Sequence, residues 1–182
     1  MKLISKVIVG LAILVCIPFI VGFCLPKDRV VDARIMIDQM YFEVLSNVSN
    51  HWEEPIWRTE VDSMVELEQI DARDVWMEYY TNGDSVKLQT QSLGEFDYIR
   101  MIICPDGTEL NRNITLVNLE DAEGNMRTVV RYVEEVHVTD PLKRFVNLFN
   151  DKYEKRAHRY LFDLKNRGIQ QKQEMEEMNS GW

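Results

Sequence analysis

The sequence predicts an α+β architecture: a curved antiparallel sheet of seven strands wrapped around one long C-terminal helix, with a membrane-spanning helix ahead of it. Three observations carry this. Val7 to Leu25 holds no charged residue. Between Arg29 and Val138, short alternating segments follow one another across turns. From Pro141 onward the apolar residues switch to helical spacing.

The N-terminal run has 19 residues. As a helix it reaches about 28 Å, close to the hydrocarbon thickness of a bilayer. Lys2 and Lys6 precede it; Lys27 and Arg29 follow it. A cleaved signal peptide would end on a small-x-small site, and Phe23-Cys24-Leu25 is not one. Residues 1–25 therefore read as an uncleaved single-pass anchor, in which Pro18 and Gly22 are tolerated. The short basic N-terminus favours N-inside, while the similar flanks leave the side of the soluble domain open.

The strands follow in order. Val31, Ala33, Ile35 and Ile37 share one face of a half-buried first strand, Arg29 to Asp38. Asp38 suits the cap of a short helix, Gln39 to about Asn47, and Asn47 to Pro55 reads as irregular. A second strand begins at Trp57, with Trp57, Thr59, Val61, Ser63, Val65 and Leu67 on one face. Val75 to Tyr80 is the third, closed by the hairpin turn Asn82-Gly83-Asp84. Val86, Leu88 and Thr90 mark the fourth. Phe96 to Cys104, Leu110 to Leu119 and Met126 to Val138 are the last three, separated by Pro105-Asp106-Gly107 and by a polar turn at Gly124. Short connections between consecutive strands imply antiparallel pairing.

Thr139-Asp140-Pro141 ends the seventh strand. Asp140 suits an N-cap and Pro141 the first helical position. Leu142, Phe145, Val146, Phe149, Tyr153, Ala157, Tyr160, Leu161 and Leu164 then form one apolar stripe, and Gly168 is the expected stop. The helix has about 26 residues and a length of roughly 39 Å. It needs a broad surface to cover, and a concave sheet supplies one. The chain divides into an anchor (1–25), the sheet-and-helix domain (26–168) and a polar tail (169–182), read as a frayed helix end or a disordered segment.

Composition narrows the partners. The chain has 21 basic and 30 acidic residues, and Lys2 and Lys6 are the only charges among the first 25, so the remainder carries a net charge of -11. Such a surface repels nucleic acid and anionic headgroups. Membrane attachment then rests on the N-terminal helix. Cys16 and Cys24 lie in the apolar run and Cys104 stands alone in the soluble part, which leaves the redox compartment open. His51, His137 and His158 match no metal spacing. No phosphate loop, dinucleotide fingerprint or nucleophile elbow is present, so neither a cofactor nor a metal is expected. Asn47-Val-Ser49 and Asn113-Ile-Thr115 fit the glycosylation pattern, which matters only in a eukaryotic secretory compartment.

The order of elements resembles the START-like superfamily, also called SRPBCC or polyketide cyclase/dehydrase-like proteins. The likeness covers about Arg29 to Arg167. It rests on the first strand running into a short helix (Ala33 to Leu45), on Trp52 and Trp57 before the second strand, and on Thr128-Val-Val-Arg-Tyr-Val-Glu-Glu followed by Asp140-Pro-Leu-Lys-Arg-Phe145. Asp38-Gln39 departs from the proline many relatives carry there. The resemblance implies a helix-grip fold with an apolar cavity between sheet and helix. It also implies a hydrophobic small molecule or lipid as partner. Many members bind without catalysing a reaction, and a subset carries one N-terminal anchor.

The expected cavity lies between the long helix and the second, fourth and seventh strands. Its candidate lining is Trp57, Val61, Val86, Leu88, Val130, Tyr132, Glu134, Phe149 and Tyr153. Val130, Tyr132, Glu134, Val136 and Val138 share one face of the last strand. If that face is inward, Glu134 sits in apolar surroundings and needs a partner or a proton. The bland alternative puts it at the sheet rim. Tyr132 offers one hydroxyl to orient a ligand or simply packs. His51 reads as a loop histidine or a base at the cavity mouth. Glu78 and Arg100 read as exterior, with an acid and an anion clamp as the alternatives. His137 and His158 read as strand-edge and helix-surface residues.

Three functions follow: a membrane-tethered binder of an apolar molecule, a cyclase- or hydrolase-like enzyme using the same cavity, or an interaction module with a collapsed cavity. A pocket above roughly 300 Å³ separates the first two from the third. A buried titratable pair within it separates the second from the first. No paired acid and base at a recognisable spacing supports an enzyme, and the binder is the leading reading.

Overall fold

A computed structural model describes residues 16–71, 73–92, 97–103, 108–120 and 124–180. Seven strands form one antiparallel sheet: β1 (Asp28–Ile37), β2 (Val61–Ile70), β3 (Arg73–Tyr80), β4 (Ser85–Ser92), β5 (Asp97–Ile103), β6 (Glu109–Glu120) and β7 (Met126–His137). Their spatial order is β1-β7-β6-β5-β4-β3-β2. Among the described residues five helices accompany them: α1 (16–24), α2 (Tyr41–Ser49), α3 (Glu54–Trp57), α4 (Pro141–Asn147) and α5 (Lys152–Ser180). A 3₁₀ turn, His51–Glu53, precedes α3.

All seven expected strands form. The β3–β4 hairpin turns at Asn82-Gly83, where Gly83 has φ +88°, a conformation only glycine adopts at no steric cost. β1 follows its alternation, burying Val31, Ala33 and Ile37. Two details in this half differ from expectation. Trp57 lies in α3, and the second strand starts at Val61. A bulge between Val61 and Ser63 then shifts the phase, so Val61 and Met64 are buried while Val65 is exposed. The cap of α2 is Met40, whose backbone N–H donates to the Glu43 carboxylate at 3.1 Å. Asp38 instead pairs with Arg127 at 3.0 Å.

The C-terminal helix is two helices. Asp140 caps α4 as expected, accepting from the Leu142 and Lys143 amides at 2.8 and 3.4 Å. The helix stops at Asn147, and Asn150 Oδ1 accepts from the Lys152 amide at 2.9 Å to start α5. Asparagine side chains compete with the helical backbone in this way. The apolar spacing runs through the break and so, by itself, predicts a single helix. As a consequence Phe149 is 79% exposed and does not line the interior. Tyr153, Ala157, Tyr160, Leu161 and Leu164 are the residues that α5 buries against the sheet. Gly168 does not end the helix. It lies within α5, buried against Ile37 and the Gln39 side chain at the end of β1. The helix runs on through the expected tail to Ser180.

Residues 7–15 of the expected anchor, the Pro105-Asp106-Gly107 turn and Cys104 lie outside the described residues. Residues 16–24 are helical, with Ile17, Phe19, Ile20 and Phe23 exposed. Among the described residues no helix is long and apolar enough to cross a membrane.

Candidate functional site: an ionic interior behind a cleft

The concave face of the sheet is crossed by a polar row. Thr90 pairs with Arg100, Arg100 with Arg112, and Arg112 with Glu134, on β4, β5, β6 and β7. Strand alternation aims all four inward, and all are buried. Two arginines side by side in an interior repel unless each has a counter-ion. The fold supplies both.

Arg100 is met by Glu54 from the first turn of α3. Its guanidinium donates to both carboxylate oxygens, at 3.1 Å to Oε2 and in a closer contact to Oε1. Arg58, one helical turn after Glu54, donates to the same carboxylate at 2.6 Å and pairs with Glu78 of β3 at 2.8 Å and Glu60 at 3.0 Å. His51 Nδ1 lies 2.6 Å from Glu54 Oε1. Burial pushes the Glu54 carboxyl up, but Arg100, Arg58 and His51 together outweigh it and hold it well below the usual range. Burial, helped by the Arg100 charge, pushes His51 down. Arg100 Nη2 lies 2.8 Å from the same His51 nitrogen, so Nδ1 stands between a guanidinium donor and the Glu54 carboxylate.

Arg112 is met by Glu134, with both Nε and Nη2 at 3.4 Å from Oε2. The Tyr132 hydroxyl donates to the same oxygen, and Arg156 of α5 donates to Oε1. Burial pushes Glu134 up, yet Arg112 and Arg156 hold it below its ordinary value. Burial raises Tyr132 far enough to keep it protonated. The two ionic groups flank Tyr160, whose ring centre is 5.4 Å from Arg58 Cζ and 5.4 Å from Arg112 Cζ. Burial pushes its hydroxyl up to about 12. The Trp57 ring stands edge-on to Tyr160 at 5.4 Å. The Tyr160 hydroxyl, Arg112 Nη1 and Trp57 Nε1 are buried without a hydrogen-bond partner among the described residues.

Arg156 opens this interior to a cleft of about 630 Å³ between the β3–β4 hairpin and the start of α5. Its walls are Glu60, Tyr80, the turn Asn82–Ser85, Val86, Thr108, Lys152, Tyr153 and Arg156. A groove of similar size, about 640 Å³, lies near Asp38, Gly124 and Lys172. None of its lining residues belongs to the ionic groups. Among the described residues no group of three or more His, Cys, Asp or Glu is placed to hold a metal.

Of the expected lining residues, only Val86 and Tyr153 border the cleft. Trp57, Val61, Leu88, Val130 and Tyr132 pack against one another in the core. Glu134 is wholly buried in the ionic group one residue behind the cleft. His51, Glu78 and Arg100, expected outside, are buried partners of it or of its neighbour. Glu54, Arg58, Arg112 and Arg156 were not anticipated. For Arg112 the signal was present: Leu110, Arg112, Ile114 and Leu116 alternate on one face of β6.

No family model matches the sequence. No curated protein matches it either. Solved structures do match. A START superfamily protein from Mycobacterium smegmatis is 15% identical, with TM-score 0.61, covering 78% of this chain and 97% of that one. The Zhui aromatase/cyclase from Streptomyces sp. R1128 is 8% identical, with TM-score 0.62 and coverages of 78% and 94%. The di-domain aromatase/cyclase BexL of the BE-7585A biosynthetic pathway is 8% identical, with TM-score 0.60, covering 80% of this chain and 52% of that one. At these identities the likeness is one of fold, and the fold of this chain is START-like.

Proposed function

We propose that the chain is a membrane-tethered START-like domain that binds a hydrophobic small molecule or lipid between sheet and C-terminal helix. The observation that carries the reading is the cleft of about 630 Å³, inside the roughly 300–1,000 Å³ range of small-molecule sites. Its walls combine the apolar Val86 and the bodies of Tyr80 and Tyr153 with the charged Glu60, Asp84, Lys152 and Arg156, of which Arg156 leads inward to Glu134. A ligand with an apolar body and one polar end fits that distribution. Arg156 is the group that would orient it. The tether is supported by the charge-free run Val7–Leu25.

A second reading, a cyclase- or hydrolase-like enzyme, draws on one observation. Tyr132 and Glu134 form a buried titratable pair joined to the cleft through Arg156. A buried protonated hydroxyl beside a carboxylate is a proton-handling arrangement.

Removing residues 1–25 should move the chain from the membrane to the soluble fraction with its fold intact. That domain should bind an apolar fluorescent probe, and Val86→Trp should block binding while leaving the circular dichroism spectrum unchanged. Probe binding that Val86→Trp leaves untouched would place the site elsewhere.

A further inference from the structure

The helix α4 is turned inside out. Leu142 and Val146 lie four residues apart on one face of α4, and that face is exposed, as are Leu148 and Phe149 in the turn just past its end. The one buried residue of α4 is a cation, Arg144. A helix that buries its arginine and shows its apolar stripe has a reason on each side.

The reason for the buried side is the end of the N-terminal run. Arg144 Nη1 donates to the Leu25 carbonyl at 2.8 Å, and Nη2 to the Thr139 carbonyl at 3.3 Å. A cation there satisfies an unpaired carbonyl and suits the negative end of α1. Gly22, one turn earlier, lies directly on the Pro141 backbone, where a Cβ would have no room. The end of the charge-free run is thus fixed to the start of α4.

We propose that the exposed face of α4, with Leu148 and Phe149, is seated in the surface of the bilayer that the Val7–Leu25 run spans. This rests on the tether reading above. The run ends on α4 itself, so a membrane crossed by the run comes to the height of the exposed stripe. Lys143 and Lys152 flank the stripe, as basic residues flank the apolar face of interfacial helices. The soluble part is strongly acidic overall, so seating depends on apolar insertion and not on anionic lipid. One consequence concerns the cleft. A smaller cleft of about 240 Å³, bordered by Leu25, Arg144 and Leu148, shares Tyr153 with the main cleft. Seating α4 brings the main cleft to the bilayer surface.

The test uses the full chain in phosphatidylcholine vesicles, with Cys16, Cys24 and Cys104 replaced by serine. An environment-sensitive fluorophore is placed at Val146→Cys, at Phe149→Cys or, as a control, at Met178→Cys. Met178 lies some 26 residues along α5 from its start, about 39 Å away. The two α4 labels should shift to the blue and be quenched by spin-labelled lipid about 5–10 Å below the surface. The Met178 label should do neither. Vesicle-bound chain whose α4 labels stay in water overturns the seating and leaves the tether standing. A blue shift that lipid-borne quencher does not touch means a second copy covers the face, and also overturns it. A chain that fails to float with the vesicles overturns both readings.

Discussion

The Tyr132 hydroxyl donates to the Glu134 carboxylate two residues further along β7, inside the domain. Both side chains point to the concave face, and Arg112 and Arg156 close the group from β6 and α5. The four residues tie the middle of the sheet to the helix it grips. They also place a protonated hydroxyl and an ionised carboxylate directly behind the cleft.

Removing the carboxylate should unfold much of this. Glu134→Ala leaves Arg112 and Arg156 uncompensated, and breaking a buried pair costs about 3–5 kcal/mol. Urea denaturation should show a loss of that size. A loss below about 1 kcal/mol would mean that the interior ions are solvated. Glu134→Gln keeps an acceptor for Tyr132 but not the charge, so it should fall between the two.

Acid should weaken the fold in two steps. His51 is held below its ordinary 6.5, so in that window the unfolded chain binds more protons than the folded one. Stability then falls as pH drops through about 6.5. Glu54, Glu78 and Glu134 are held below their ordinary 4.5. Their stabilisation is present above that value and lost as pH falls below it. Unfolding free energy measured from pH 8 to 3 should follow this course, and His51→Gln should flatten the first step alone. Stability that rises between pH 7 and 5 would refute the assignment.

The break between α4 and α5 makes two aromatic residues behave differently. Phe149 is exposed and Tyr160 is buried in the core. Phe149→Ala should change stability by less than about 0.5 kcal/mol, as surface substitutions do. Tyr160→Ala should cost about 3–5 kcal/mol. Equal losses in thermal or urea unfolding would restore the single continuous helix.

Much of the fold was legible in the residues. The alternation of Val31, Ala33 and Ile37, the Asn82-Gly83 turn and the Asp140-Pro141 cap each state a local rule that the chain obeys. The helix break was hidden because apolar spacing continues from Val146 through Phe149 to Tyr153 while the interruption comes from the Asn150 side chain. The phase change in β2 was hidden because a bulge leaves no mark in composition. The site was harder. Glu78 shares its face with the buried Trp76, Arg100 with Ile102, and Arg112 with Leu110 and Ile114, but a charge on an inward face is plausible only when its partner is known. The partners Glu54, Arg58 and His51 come from short helical turns, where no period fixes which side faces in.

We propose that the cleft holds a molecule with an apolar body and a polar end. Native mass spectrometry of the full chain, purified from its source in gentle detergent, reads this out. The expected spectrum shows a bound small molecule or lipid at one per chain, lost in Val86→Trp and weakened in Arg156→Ala. A chain that flies bare, with both variants equally bare, would contradict it and favour an interaction module whose interior is filled by its own Tyr160, Trp57 and Tyr132 side chains.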